Sequence, residues 1–232
     1  MLEIVIDMPA LHRYAHHVGI LNSGAGDYGY ILHAWLHHAL GPLAPRPWRL
    51  DLKQTSRPRV LGYTLHDFPE VKQYLCDFAS PMVHAVAGGI AGKTVHPFSG
   101  GRRLGFEVLC CPVVRQARTG IEKDVFLVQD EGRESQLDRA SIYSEWVKKQ
   151  IELRAGAQVA FIQLAGFSLL EHVRKGPKVT RPRTWTKIVR PSALMQGELI
   201  VKDQNAFMQA VATGIGRHKA FGYGMLLLRP PS

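Results

Sequence analysis

The stretch Asn205–Leu228, NAFMQAVATGIGRHKAFGYGMLLL, decides how the chain is read. Asn205–Thr213 has helical spacing, and Met225–Leu228 is a final apolar strand. Between them lies a turn, Gly214-Ile215-Gly216-Arg217-His218-Lys219-Ala220-Phe221-Gly222-Tyr223-Gly224. Its four glycines let backbone N–H groups approach a phosphate chain closely, and Arg217 and Lys219 add positive charge. A dinucleotide fingerprint needs strand, turn, helix; here the order is helix, turn, strand, so that reading is excluded. A helix C-cap accounts for Gly214 but not for Gly216, Gly222 and Gly224.

Upstream of this stretch the same order of elements occurs twice. Met1–Met8 reads as a strand with Leu2, Ile4 and Ile6 on one face, and His12–Gly26 as a loop. A helix is expected from the cap Asp27 to Gly41-Pro42, burying Tyr28, Ile31, Leu32, Trp35, Leu36 and Ala39. Strands Trp48–Gln54 and Arg59–Leu65 follow, then a helix Phe68–Phe78 opened by Asp67 and Pro69. Residues 81–101 read as irregular, and Leu104–Cys111 as a strand. In the second half Asp124–Gln129 reads as a strand and Arg139–Ala155 as a helix with Ile142, Trp146 and Ile151 inward. Gln158–Leu164 and Leu199–Lys202 are strands around a long basic connection. Strand–helix–strand–strand–helix–strand, twice, predicts an α+β protein of two tandem ferredoxin-like (RRM-like) βαββαβ domains, 1–115 and 120–232.

At 232 residues the chain has room for one large domain or two small ones, and an apolar fraction of 46% excludes a disordered polymer. No apolar run is long enough to span a bilayer, and Glu3 and Asp7 sit where a signal peptide needs positive charge. Cys76, Cys110 and Cys111 cannot make a disulfide framework, which fits a cytoplasmic protein. Lys and Arg number 29 against 19 acids, a formal charge of +10, which calls for a polyanionic partner.

Three constellations stand out, with one decoy. At 100° per residue Tyr30, His33 and His37 share one stripe of their helix, on the side opposite Leu32 and Trp35. Imidazole exchanges protons near neutral pH, so the stripe is either catalytic or a solvated face in a histidine-rich chain. As a zinc site the pair His33 and His37 lacks a third ligand at recognisable spacing, and no metal is expected. From His172 to Gly197 there is no acid, while Arg174, Lys175, Lys178, Arg181, Arg183, Lys187 and Arg190 accumulate on an expected hairpin, which a phosphate backbone would neutralise. Arg102, Arg103, Arg115 and Arg118 form a smaller basic cluster. The decoy is Ala87-Gly88-Gly89-Ile90-Ala91-Gly92-Lys93-Thr94, a relaxed P-loop string; Pro97, Gly100 and Gly101 cannot continue the helix that such a loop must enter.

Taken together, these residues resemble the CasE family, the repeat-RNA endoribonucleases of type I-E CRISPR systems, and type IV systems hold nucleases of related architecture. GIGRHKAFGYGMLLL resembles the family's Gly-Ile/Val-Gly-x-x-Lys-x-x-Gly-x-Gly signature entering the last strand, and Tyr30-Ile31-Leu32-His33 its Tyr-x-x-His. Leu109-Cys110-Cys111-Pro112-Val113-Val114-Arg115 resembles the family's Arg-Ala-Asn-Pro segment, with Leu109, Cys110 and Cys111 departing from it. The resemblance implies two ferredoxin-like domains and cofactor-free, metal-independent cleavage of CRISPR repeat hairpins in precursor crRNA, leaving 2′,3′-cyclic phosphate ends. It implies catalytic roles for Tyr30 and His33; charge and position add Lys219. RNA binding falls to the two basic groups, Arg217 and the loop glycines Gly214, Gly216, Gly222 and Gly224. Expected partners are the crRNA hairpin and other subunits of a multi-protein crRNA-guided complex, with no membrane. The alternative is a non-catalytic RNA-hairpin-binding module of the same fold.

Overall fold

The structure is a computed structural model that describes residues 1–20, 28–53, 56–130, 137–175 and 185–231, without the side chains of 130, 173–175 and 185–187. Asp27, Lys178, Arg181 and Arg183 therefore lie outside the described residues, as do the side chains of Arg174, Lys175 and Lys187. The chain divides into two compact units. The first comprises Met1–Val95, Glu171–Val189 and Ala220–Gly222, and the second His96–Leu170, Arg190–Lys219 and Tyr223–Ser232.

In the first unit the order is β1 (Leu2–Ile6), α1 (Met8–His17), α2 (Tyr28–Leu40), β2 (Trp48–Asp51), β3 (Arg59–Gly62), α3 (Phe68–Phe78), α4 (Pro81–His84) and β4 (Ala87–Gly92). The sheet runs β2-β3-β1-β4, and β1 is antiparallel to both neighbours, with Ile4 opposite Val60 and Ile90. Alternation along β1 turns Leu2, Ile4 and Ile6 into the core, where Ile31, Leu32, Trp35 and Leu36 of α2 meet them. The buried Trp35 indole N–H donates to the Val83 carbonyl of α4 at 2.9 Å, so burying its one polar atom leaves nothing unsatisfied.

The second unit holds β5 (Arg103–Cys110), β6 (Val113–Arg115), β7 (Glu122–Asp124), α5 (Val125–Asp130), α6 (Arg139–Arg154), β8 (Ala157–Lys175), β9 (Trp185–Val201), α7 (Gln204–Thr213) and β10 (Leu226–Arg229), apart from the ends of β8 and β9 named above. Its sheet, β10-β5-β9-β8, repeats the strand order of the first once β5, β8, β9 and β10 are taken as the four strands. The chain is thus two tandem ferredoxin-like folds. Phe106, Val108, Met195 and Leu199 from the sheet and Tyr143, Val147, Ile151 and Phe207 from the helices are all buried here. The Asp203 carboxylate accepts from the N–H groups of Asn205 and Ala206 to open α7, and Gly214 closes it at φ +71°.

Several expectations are corrected. His12–Gly26 does not begin as a loop: Asp7 caps α1 by accepting from Ala10 N at 2.7 Å, Pro9 fits its first turn, and Leu11, Tyr14 and Ala15 are buried. Histidines on the outer face had masked that period. Residues 81–101 are not all irregular, since α4 and β4 lie within them. The glycines of β4 serve packing: a Cβ on Gly92 would stand 2.6 Å from the Phe68 ring. The P-loop string is an extended strand, in keeping with its rejection. Asp124–Gln129 is mostly helix, because Asp124 accepts from Phe126 N at 2.9 Å and turns the chain at the end of β7. A short apolar run carries no period of its own. In α6 Tyr143 and Val147 are buried, whereas Trp146 is only partly so. The strands expected at Gln158–Leu164 and Leu199–Lys202 are far longer, reaching Lys175 and starting at Trp185. Residues 96–115, assigned above to the first domain, belong to the second unit, where β5 pairs with β9 and β10.

Asp7→Ala removes the α1 cap and is expected to lower stability by about 1 kcal/mol in urea unfolding. No change would mean that α1 does not depend on that carboxylate.

Candidate functional site

Helix α2 is held from outside by α1. The Tyr14 hydroxyl and His38 Nδ1 share a hydrogen bond of 2.6 Å, and burial, with Tyr30 nearby, pushes the Tyr14 pKa well up, so the phenol stays protonated. His12 and Tyr28 make a second link at 3.2 Å. His38 is thus spent on packing, while the neighbouring turn presents Tyr30, His33 and His37.

That stripe is not a bare solvated face. Residues Ala220–Gly222 pack on it within the first unit. The Phe221 ring stacks on Tyr30, with centroids 6.4 Å apart and planes at 16°, and meets His33 edge-on at 5.4 Å. Buried Trp48 of β2 donates its indole N–H to the Ala220 carbonyl at 3.1 Å. Gly222 lies against the face of the same indole at φ +89°, where a Cβ would come within 3.1 Å of the ring. Beside these rings is a pocket of about 180 Å³ lined by His33, Leu36, His37, Ala44, Pro45, Arg46, Trp48 and Ala220, among others. Its floor is apolar, and His33, His37 and Arg46 supply its ionisable groups.

Half-buried His33 has its pKa lowered, first by burial and then by His37, 6.4 Å away ring to ring, and by Arg46. At neutral pH it is therefore a neutral imidazole, able to accept a proton. Among the described residues no group of three or more His, Cys, Asp or Glu is placed to hold a metal ion.

In the second unit the glycine-rich turn is built by its own backbone. Gly214, Gly216 and Gly224 of this unit have positive φ, as does Gly222 of the first unit. The Ile215 N–H donates to the Gly224 carbonyl at 2.9 Å, and the Gly224 N–H to Leu109 at 2.7 Å. Lys219 Nζ donates to the Gly214 carbonyl at 3.3 Å within this loop. Tyr30 and His33 are thus brought together beside Phe221, while Lys219 belongs to the other unit.

The arginines chosen for charge density separate on inspection. Arg103 pairs with Glu198 at 2.7 Å, and Arg115 Nε donates to the Gly120 carbonyl at 3.1 Å. Arg190 and Arg217 both bind Glu122. Arg102 and Arg118 are exposed. Cys110 and Cys111, at the departure from the family segment, are buried, and burial pushes the Cys111 thiol up to about 12. Sequence reasoning missed Phe221, Trp48, Arg46 and Glu122. The only available hint was an aromatic flanked closely by glycine at 221–222.

The family described as CRISPR associated protein has a model that matches residues 3–230. No curated protein matches the chain in sequence comparison. Among solved structures, CRISPR endoribonuclease Cse3 bound to a 19 nt RNA aligns with TM-score 0.67 and 22% identity over 99% of both chains. Thermus thermophilus Cse3 with an RNA representing a pre-cleavage complex gives 0.63 and 21% over 99% of this chain and 98% of that one. A chain of a CRISPR RNA-guided surveillance complex gives 0.56 and 18% over 99% of both. At these identities the likeness establishes the fold.

By NMR titration, Arg46→Ala is expected to raise the His33 pKa, since it removes a neighbouring cation that disfavours the imidazolium. An unmoved midpoint would take Arg46 out of the surroundings of His33.

Proposed function

Because the chain belongs to the CRISPR associated protein family, we propose that it is an endoribonuclease that cleaves CRISPR repeat hairpins in precursor crRNA without a metal and stays bound as a subunit of a crRNA-guided complex. The observation that carries this reading is a neutral, half-buried imidazole, His33, held with Tyr30 against Phe221 beside a pocket that Arg46 lines. The RNA-bound and complex-bound relatives of the same fold support the substrate class and the assembly.

The chemistry is a transesterification within the RNA. The ribose 2′-oxygen attacks the adjacent phosphorus and gives up its proton, the P–O5′ bond breaks, and the leaving oxygen takes a proton. The products are a 2′,3′-cyclic phosphate and a 5′-hydroxyl, with atoms and charge balanced. His33, already neutral, is suited to accept the 2′-OH proton, a role worth roughly 10²–10⁴-fold. The Tyr30 hydroxyl orients the ribose or phosphate. Lys219 stabilises charge on the phosphoryl oxygens. The cations of residues 174–187 grip the A-form stem by charge and shape rather than by base edges.

The test is cleavage of a labelled repeat hairpin in the presence of EDTA. Wild-type protein is expected to cut, and His33→Ala to lose roughly 10²–10⁴-fold in single-turnover rate while RNA affinity is retained. Wild-type protein that binds but never cuts would support the non-catalytic module, and cutting that stops with EDTA would overturn the mechanism. Neutralising Arg181, Arg183 and Lys187 together is expected to flatten the slope of log K against log salt by up to ~0.9 per lost phosphate contact. An unchanged slope would remove those side chains from the interface.

A further inference from the structure

Glu122 stands at the start of β7, in a short excursion between β5 and α6 that the βαββαβ scheme does not need. Its carboxylate is mostly buried, with 12% side-chain exposure, and gathers three partners from distant positions. Arg217 Nε donates to Oε1 at 2.7 Å. Arg190 Nη2 on β9 and His218 Nε2 donate to Oε2 at 2.9 and 2.8 Å. Arg190 Nη1 also donates to the Glu122 carbonyl at 3.1 Å. All four residues belong to the second unit.

Charge agrees with this geometry. Burial by itself would raise the Glu122 pKa, but His218, Arg217 and Arg190 outweigh it and hold the carboxyl below its ordinary range. The group is ionised at neutral pH, so His218 Nε2 must carry the proton of the shared bond. Burial lowers the His218 pKa against the pull of Glu122. His218 itself sits at φ +59°, a left-handed conformation that costs a non-glycine residue energy. Something must hold it there, and the bond to Glu122 does so. The segment Arg217-His218 is followed at once by Lys219 and by the residues that meet Tyr30 and His33.

We propose that Glu122 is a positioning residue: it ties Arg217 and His218 to Arg190 and so sets the conformation in which the glycine-rich loop presents Lys219 to the RNA. Arg190 and Arg217 are then internal braces rather than grips on phosphate. The inference rests on the nuclease reading for its effect on rate, while the bracing itself is measurable without RNA.

The experiment compares Glu122→Gln and Arg217→Gln with the wild-type chain, and uses Asp124→Asn as a control. Asp124 is a buried carboxylate of β7 bound instead to Arg139 and Tyr143, at 2.8 and 2.7 Å. In the protein alone, amide exchange at Ile215 and Gly224 is expected to accelerate about tenfold or more in both loop variants and to stay near wild-type in the control, at temperatures scaled to each melting point. On repeat RNA, single-turnover cleavage is expected to fall roughly 10–100-fold in both variants, with Kd within about twofold and the salt slope unchanged. Unchanged exchange would overturn the brace. So would tighter binding with a steeper salt slope in Glu122→Gln, or a slope reduced by about 0.9 in Arg217→Gln, since either would make those guanidiniums phosphate contacts. If the wild-type chain does not cut RNA, the nuclease reading fails, and exchange alone still decides whether Glu122 braces the loop.

Discussion

The hydrogen bond from the Trp48 indole to the Ala220 carbonyl joins residues 172 positions apart in the chain. On it depend the surroundings of Tyr30 and His33 on α2. A buried indole N–H left without an acceptor would cost about 1–3 kcal/mol, so the first unit is strongly biased to keep Ala220 in place. Gly222 makes the close approach possible, and Phe221 between them is carried onto Tyr30 and His33. The Phe221 ring stands edge-on against His33, and burial is the largest cause of that group's lowered pKa. An imidazole on an open helix face would share its environment with solvent; this one has an aromatic wall, a neighbouring histidine and a guanidinium.

Much of the frame was legible in the sequence because it is local. Alternation gave β1, the helical period and Gly41-Pro42 gave α2, and Asp67 with Pro69 gave α3 at its observed bounds. The repeated element order gave the tandem fold. Expectations failed where the local signal was ambiguous or masked. Outward-facing histidines hid α1, and the apolar run after Asp124 could serve strand or helix until a side-chain cap decided it. The place of β5 was also out of reach, since its partners β9 and β10 lie more than eighty residues downstream. The site divides the same way: Tyr30, His33 and the glycines are visible as spacing, whereas Trp48, Arg46 and Glu122 matter only through contacts that have no sequence period.

Composition also overstated the cations offered to a partner. The formal charge is +10, yet Arg59 meets Glu3 and Asp51, Arg139 meets Asp124, Arg103 meets Glu198, and Arg190 and Arg217 share Glu122. Arginine suits this work because its planar fork binds carboxylates with several donors at once. A dense run of arginines is thus a signal for polyanion binding only after its internal carboxylates have been subtracted. Within the acid-free run from His172 to Gly197, Arg190 is the one cation whose side chain is described, and it is paired with Glu122.

The central claim is that the RNA supplies its own nucleophile and the protein supplies a neutral imidazole to receive its proton. Replacing the single ribose at the cut site by 2′-deoxyribose tests this most directly, because it removes the nucleophile and leaves the protein and the hairpin otherwise unchanged. The account predicts unaltered binding, no cleavage of the deoxy substrate, and a terminal 2′,3′-cyclic phosphate by mass spectrometry on the all-ribose product. Cleavage of the deoxy substrate at an ordinary rate would contradict it, because a nucleophile other than the 2′-hydroxyl would then be at work.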